Sequence, residues 1–160
     1  MLDTGDCQTF VTRFGHLFEH SPWVVERAWH KRPFADVSAL ETALMASVSE
    51  ASEAEQLALI RAHPRLGVKQ ALTDASDAEQ AGAGLQTLNT KEFQRFAALN
   101  AAYEEKFGFP FIICVGRKTK REILAAFEVR LGHDAATEHK TALHEIGWIA
   151  RLRLEKALGA

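Results

Sequence analysis

The sequence predicts an all-α domain of about seven to nine helices, and three observations carry that prediction. Apolar residues recur at helical rather than alternating spacing along almost the whole chain. At several places a Ser or Thr stands three residues before a Glu where such a stretch begins, the pattern of a helix start. One short run, Phe109–Val115, is apolar, β-branched and bounded by Gly108 and Gly116, but no second such run exists to pair with it. Near 109–116 we therefore expect an extended or irregular buried segment inside a helical domain.

Taken in order, Phe10, Phe14, Leu17 and Phe18 share one face, so about residues 7–20 read as an amphipathic helix. Ser21-Pro22 starts the next, with Ser as cap and Pro at the first helical position, and that helix fades by Pro33. Ser38–Glu41, Ser52–Glu55, Ser76–Glu79 and Thr119–Glu122 each predict a capping box. Leu40, Leu44 and Val48 make the face of the first of these helices, and Leu57 and Ile60 that of the second. The second should stop at Ala62–His63, because the residue before Pro64 avoids helical dihedrals. Asn89 or Thr90 opens a helix with Phe93, Phe96, Tyr103 and Phe107 along one side, closed by Gly108. Ile123, Leu124, Phe127 and Leu131 form another, closed by Gly132, and a long last helix runs from about Ala135 to Leu158.

The 160 residues correspond to a single domain, 1–160, able to bury about 70% of the surface its unfolded chain exposes. Apolar residues are 47% and charged residues 25%, which excludes a disordered chain, a fibrous repeat and a small disulfide scaffold. Lys plus Arg is 19 against 21 Asp plus Glu, a formal net charge of −2, which gives no electrostatic case for nucleic acid or a membrane surface. Cys7 and Cys114 stand far apart and are expected as reduced thiols. There is no signal-peptide pattern, no bilayer-spanning apolar stretch and no peroxisomal address at the C-terminus. A cytoplasmic protein is the default.

Several chemistries are excluded by motif. There is no P-loop, no Gly-x-Ser-x-Gly elbow and no complete dinucleotide fingerprint, since Gly82-Ala-Gly84 has only two of its three glycines. His144-Glu145 begins like a zinc-protease helix, but Trp148 stands where the second His is required. His16 and His20 are spaced to share a metal on one helix face, but no third ligand accompanies them, and we expect no metal site.

His63 stands apart from the other histidines, at a helix stop within Arg61-Ala-His-Pro-Arg-Leu-Gly67. It is placed either for proton transfer near neutral pH or to hydrogen-bond the last carbonyls of its helix. Glu79 is either the far half of a capping box with Ser76 or, with Ser76, Gln80 and free amides at a helix start, part of a site for a small anion or ureide. Arg151 and Arg153 are about 200° apart around a helix and cannot face the same way. One of them can turn inward to a carboxylate, or both can lie along the surface.

Three stretches in this order resemble the OHCU decarboxylase family, the 2-oxo-4-hydroxy-4-carboxy-5-ureidoimidazoline decarboxylases of urate breakdown. They are Arg61-Ala-His-Pro-Arg-Leu-Gly67, Ser76-x-x-Glu-Gln-Ala-Gly-Ala-Gly-Leu85, and Leu99-Asn-Ala-Ala-Tyr-x-x-Lys-Phe-Gly-Phe-Pro-Phe-Ile-Ile-Cys-Val115. Phe14-Gly-His-Leu-Phe-Glu-His-Ser-Pro-Trp23 and Ile149-Ala-Arg-Leu-Arg-Leu154 fit as well, so the resemblance covers nearly the whole chain. It implies an all-helical, cofactor-free, homodimeric enzyme that acts on a ureide and forms (S)-allantoin. It also implies His63 as general acid and Glu79 as the second catalytic group. Substrate contacts would come from Pro64, Ser76, Asp77, Ala78 and Gln80, from Phe111, Ile112, Ile113, Cys114 and Val115, and from Arg153. Arg65 occupies a place where the family commonly has an acidic residue. Two readings from other classes compete: a helical module that docks a partner helix, and a ureide-binding protein without turnover.

Overall fold

Eight α-helices, two single-turn 3-10 helices and no strand make up the described residues of the computed structural model, 1–68 and 72–159. The helices are α1 (Cys7–Phe14), α2 (Pro22–Trp29), α3 (Val37–Ser49), α4 (Glu53–Arg61), α5 (Asp74–Gly82), α6 (Thr90–Phe107), α7 (Lys120–Leu131) and α8 (Ala135–Ala157). The 3-10 turns are Gly15–Leu17 and Val115–Arg117. The chain divides into two units, Met1–Ala62 with Gly147–Ala160, and His63–Ile146.

In the first unit α2 packs against both α1 and α3. Asp6 caps α1 by accepting the Thr9 N–H, and Phe10 and Phe14 turn inward with their rings edge to face at 5.0 Å. The expected helix over 7–20 ends at Phe14, where Gly15 begins a 3-10 turn, and His20 has a φ of 47°. His16 and His20 therefore share no helix face. Pro22 opens α2 as expected, but the Ser21 hydroxyl donates to the Glu19 carbonyl and caps nothing. Asp36, two residues before Ser38, caps α3, its carboxylate being the acceptor nearer the helix start. Ser52 and Glu55 form the expected box on α4, where Leu59 and Ile60 are buried and Leu57 only partly so.

In the second unit Thr73, rather than Ser76, caps α5. Asn89–Glu92 and Thr119–Glu122 form reciprocal boxes on α6 and α7. Gly108 ends α6 at a φ of 77°, a conformation that a side chain would strain. The core is aromatic: Phe96, Tyr103, Phe111 and Phe127 are fully buried, and the Phe111 and Phe127 rings stack at 3.7 Å. Phe93, on the first turn of α6, lies beyond this core and is exposed.

Phe109–Cys114 runs through that core with no strand beside it, as expected. A buried backbone needs hydrogen-bond partners, and here side chains supply them. Arg130 Nη1 donates to the Ile112 carbonyl at 2.6 Å, and its guanidinium lies over the Phe111 ring. Cys114 N–H donates to Glu145 Oε1 at 3.2 Å. The Arg130 charge is met by Glu138, whose side chain is wholly buried and accepts from Arg130 Nε at 2.8 Å and from the Tyr103 hydroxyl at 2.5 Å. His133 Nδ1 lies 2.9 Å from the other carboxylate oxygen. Burial, then the Glu138 hydrogen bond, push the Tyr103 hydroxyl well above its ordinary pKa, so it remains a donor.

Removing one partner of such a pair leaves a buried charge uncompensated. Glu138→Ala should therefore lower unfolding free energy by about 3–5 kcal/mol. Urea denaturation followed by circular dichroism measures this. A loss under about 1 kcal/mol, the range of exposed pairs, would show that Glu138 does not carry the core.

Candidate active site

The backbone at 63–67 is held from two helices. α4 ends at Arg61 with Ala62 as C-cap, so the chain leaves the helix just before Pro64, where Pro-imposed dihedrals require it. His63 follows at once, with its side chain buried and its Nε2 shielded from solvent. Beyond it, Gln80 on α5 spans the turn: Nε2 donates to the Arg65 carbonyl at 3.1 Å and Oε1 accepts the Gly67 N–H at 3.2 Å. Asn100 on α6 adds a bond from Nδ2 to the Leu66 carbonyl at 2.9 Å. Gly67 has a φ of 66°, and a Cβ there would come within 2.9 Å of Leu88 and 3.0 Å of Phe96. A side chain at 67 would be strained and would have to displace Leu88 or Phe96. Arg65, at the exposed edge, pairs with Glu104 at 2.7 Å.

α5 supplies the next group. Ser76, Glu79 and Gln80 fall at i, i+3 and i+4, one helix face. Ser76 and Gln80 are buried, Glu79 is half-buried, and Asp77 and Ala78 are exposed on the other side. Asp77 accepts from Gln86 through its carboxylate and its carbonyl. Because Thr73 is the cap, the helix starts three residues earlier than the Ser76–Glu79 pattern suggests. Two consequences correct the sequence reading. Glu79 has no capping-box role, and Ser76–Gln80 offers no run of free amides, since the Ser76 and Asp77 N–H groups already donate to Thr73.

α5 packs against the 3-10 turn Val115–Arg117, which ends the apolar segment. That packing brings Glu79 toward Cys114, and the two interact electrostatically. Phe111, Ile112, Ile113, Cys114 and Val115 are all buried. Burial pushes the Cys114 thiol up. The Gly116 N–H opposes this, while the Glu145 and Glu79 charges add to it. His63, Pro64, Ser76, Glu79, Gln80 and the 111–115 segment thus belong to one unit.

Arg153 belongs to the other unit. It is the inward-facing member of its pair: Nη2 donates to Glu19 Oε1 at 2.8 Å and Nη1 to the His16 carbonyl at 2.9 Å, with both side chains buried. Arg151 lies on the surface against Glu155 and Glu41. No trio of His, Cys, Asp or Glu side chains gathers as a metal site among the described residues. Both cysteines are free thiols.

Sequence reasoning missed Asn100, Arg130 and Glu145, which bond the backbone of Leu66, Ile112 and Cys114, and Glu138, which holds Arg130. The available signal was on α8, where Glu138 and Glu145 stand seven residues apart, two turns along one face.

A family model described as OHCU decarboxylase matches residues 4–155. The chain is 48% identical over 149 residues to a 2-oxo-4-hydroxy-4-carboxy-5-ureidoimidazoline decarboxylase of Haloferax volcanii, covering 93% of this chain and 89% of that protein. It is 44% identical over 153 residues to the uric acid degradation bifunctional protein PucL of Bacillus subtilis, covering 96% of this chain and 31% of that one. Among solved structures it superposes on an OHCU decarboxylase crystallised in the presence of (S)-allantoin. There the TM-score is 0.74 at 26% identity, over 98% of this chain and all of the other. An (S)-allantoin synthase gives a TM-score of 0.75 at 30% identity, over 96% of this chain and 51% of that one.

Two measurements check the geometry. At pH 8 a thiol reagent should modify Cys7, which is half-buried, and spare Cys114 until the chain is unfolded. Equal labelling of both in the folded protein would contradict the buried segment. Gly67→Ala should destabilise the fold by about 1–3 kcal/mol through backbone strain, with the displacement of Leu88 and Phe96 adding to it. An unchanged unfolding midpoint would mean that the turn adapts.

Proposed function

The chain belongs to the OHCU decarboxylase family, and on that premise we propose that it converts 2-oxo-4-hydroxy-4-carboxy-5-ureidoimidazoline to (S)-allantoin in urate breakdown. The observation that carries the reading is the packing of α5 on the end of the apolar segment. It supports a site in which Glu79 and the 111–115 backbone act on one small molecule. The relatives carry enzyme names, which favours turnover over the partner-helix and ureide-binding readings.

The substrate carboxylate sits on a ring carbon that also bears a hydroxyl, beside an imine carbon. When the carbon–carboxylate bond breaks, its electron pair enters the ring and the imine nitrogen takes up a proton, releasing CO2 and leaving an enol. The ring is its own electron sink, so the step calls for no cofactor. Loss of the hydroxyl proton toward Glu79 gives the carbonyl. Delivery of one proton by His63 to the neighbouring carbon, from one face, sets the stereocentre.

The protein's share is then orientation and charge stabilisation. Phe111, Ile112 and Ile113 surround the leaving carboxylate with apolar groups, where a localised charge is less stable than the spreading charge of the transition state. Gln80 retains one Nε2 proton beyond its bond to Arg65, enough for one substrate carbonyl. Main-chain groups of 111–115 take the ring and ureido carbonyls, and Pro64 and Ser76 complete the wall, while Asp77 and Ala78 lie on the opposite face of α5. Arg153, in the other unit, is proposed as a group that binds a carboxylate, and Glu19 holds its guanidinium in place. We assign the whole chain to one functional domain, acting as a homodimer in the cytoplasm. No helix among the described residues is long and apolar enough to cross a membrane.

Freshly made substrate, followed to allantoin by circular dichroism, tests the assignment. One enantiomer should build up well above the spontaneous rate. His63→Ala and Glu79→Ala should each lower turnover by about 10² or more. Racemic product at the uncatalysed rate would remove the reading. Near-normal turnover in either variant would remove that residue's role.

A further inference from the structure

Glu145 takes no part in the chemistry above, yet it grips the segment on which that chemistry depends. We propose that Glu145 is a positioning residue, which fixes the register of 111–115 so that the Ile113 N–H and C=O face the substrate. The proposal rests on the function argued in the preceding subsection.

In extended backbone, successive residues present their N–H and C=O groups to opposite edges. Cys114 is extended, with φ −73° and ψ 101°. Arg130 takes the Ile112 carbonyl and Glu145 takes the Cys114 N–H. The two anchored residues alternate, so both anchors lie along one edge. The other edge belongs to Phe111, Ile113 and Val115. Of these, the Val115 carbonyl already accepts the Lys118 N–H at 3.1 Å, closing the 3-10 turn. Ile113 is left at the centre of the second edge.

The two anchors differ in what they secure. Arg130 is locked in a buried network with Glu138 and Tyr103 and holds the front of the segment. Glu145 is half-buried and holds the rear, beside the turn on which α5 rests. A slip at Cys114 would rotate Ile113 and alter the approach of Glu79 together. The role demands an acceptor oxygen at a set reach from α8. It does not demand a charge.

Three variants separate reach from charge. Glu145→Gln keeps an acceptor at the same reach and loses the charge. Glu145→Asp keeps the charge and withdraws the acceptor by one methylene. Glu145→Ala removes both. Steady-state kinetics should place Glu145→Gln within about threefold of the wild-type chain. Glu145→Asp and Glu145→Ala should lose about tenfold or more in kcat/KM, with most of the loss in KM. Amide hydrogen exchange at Cys114 should quicken in the Asp and Ala variants and not in Gln. If Glu145→Ala fails to fold, the Asp and Gln pair decides. Wild-type kcat/KM or unchanged Cys114 exchange in Glu145→Asp would overturn the proposal. Glu145→Gln impaired as badly as Glu145→Asp would also overturn it, in favour of a charge role. A wild-type chain without turnover would remove the functional reading and this one with it, whereas a sound wild type with an indifferent Asp variant removes this one alone.

Discussion

An extended stretch of main chain inside an all-helical core has no neighbouring strand to satisfy it, and that constraint governs the second unit. Phe109–Val115 is buried along its length, so each peptide group that finds no partner costs about 1–3 kcal/mol. Helices cannot offer main-chain groups from their middles. They can offer side chains, and two that reach the segment are a guanidinium from α7 and a carboxylate from α8. The guanidinium brings its own difficulty, a cation in an aromatic core. Glu138 resolves it, and Tyr103 and His133 share the carboxylate's remaining oxygen capacity. Much of the polar content of this core follows from one decision, to run backbone through it.

The same device appears at the 65–67 turn. The 65–67 backbone is tied by the Gln80 and Asn100 amides, from two different helices. Both stretches are thus main chain held by side chains. Main-chain groups so held lose little freedom when a ligand arrives, which is how a site reaches high complementarity without flexible side chains. It also separates duties, because the groups that shape the site need not be the groups that react in it.

Much of this was legible in the sequence, for reasons that differ from residue to residue. Helical spacing gave the number and order of the helices, and Pro64 and Gly108 gave two sharp boundaries. The unpaired apolar run at 109–116 was readable because its composition is unlike everything around it. The capping boxes were half legible. Ser52 and Thr119 cap as read and Asn89, not Thr90, caps α6, but Asp36 and Thr73 precede Ser38 and Ser76 and take their places. A capping pattern is local, and an equally good cap two or three residues upstream lengthens the helix at little cost. That slip matters most at Glu79, whose structural reading depended on Ser76 being the cap. That one of Arg151 and Arg153 can turn inward was readable, but not which one, nor its partner, because Glu19 lies far away in sequence. The anchors Arg130 and Glu145 look like ordinary charged residues on helices, and only the folded chain shows what they touch.

α8 carries Glu138 and Glu145 seven residues apart, and Ala142 and Ile146, also buried, lie on the same stripe. Seven residues come to within about 20° of two whole turns. Adding or deleting a single residue between the two glutamates would swing one of them by about 100°, away from whatever it now holds. Over this stretch the helix therefore acts as a ruler, and its length is fixed more strictly than its composition.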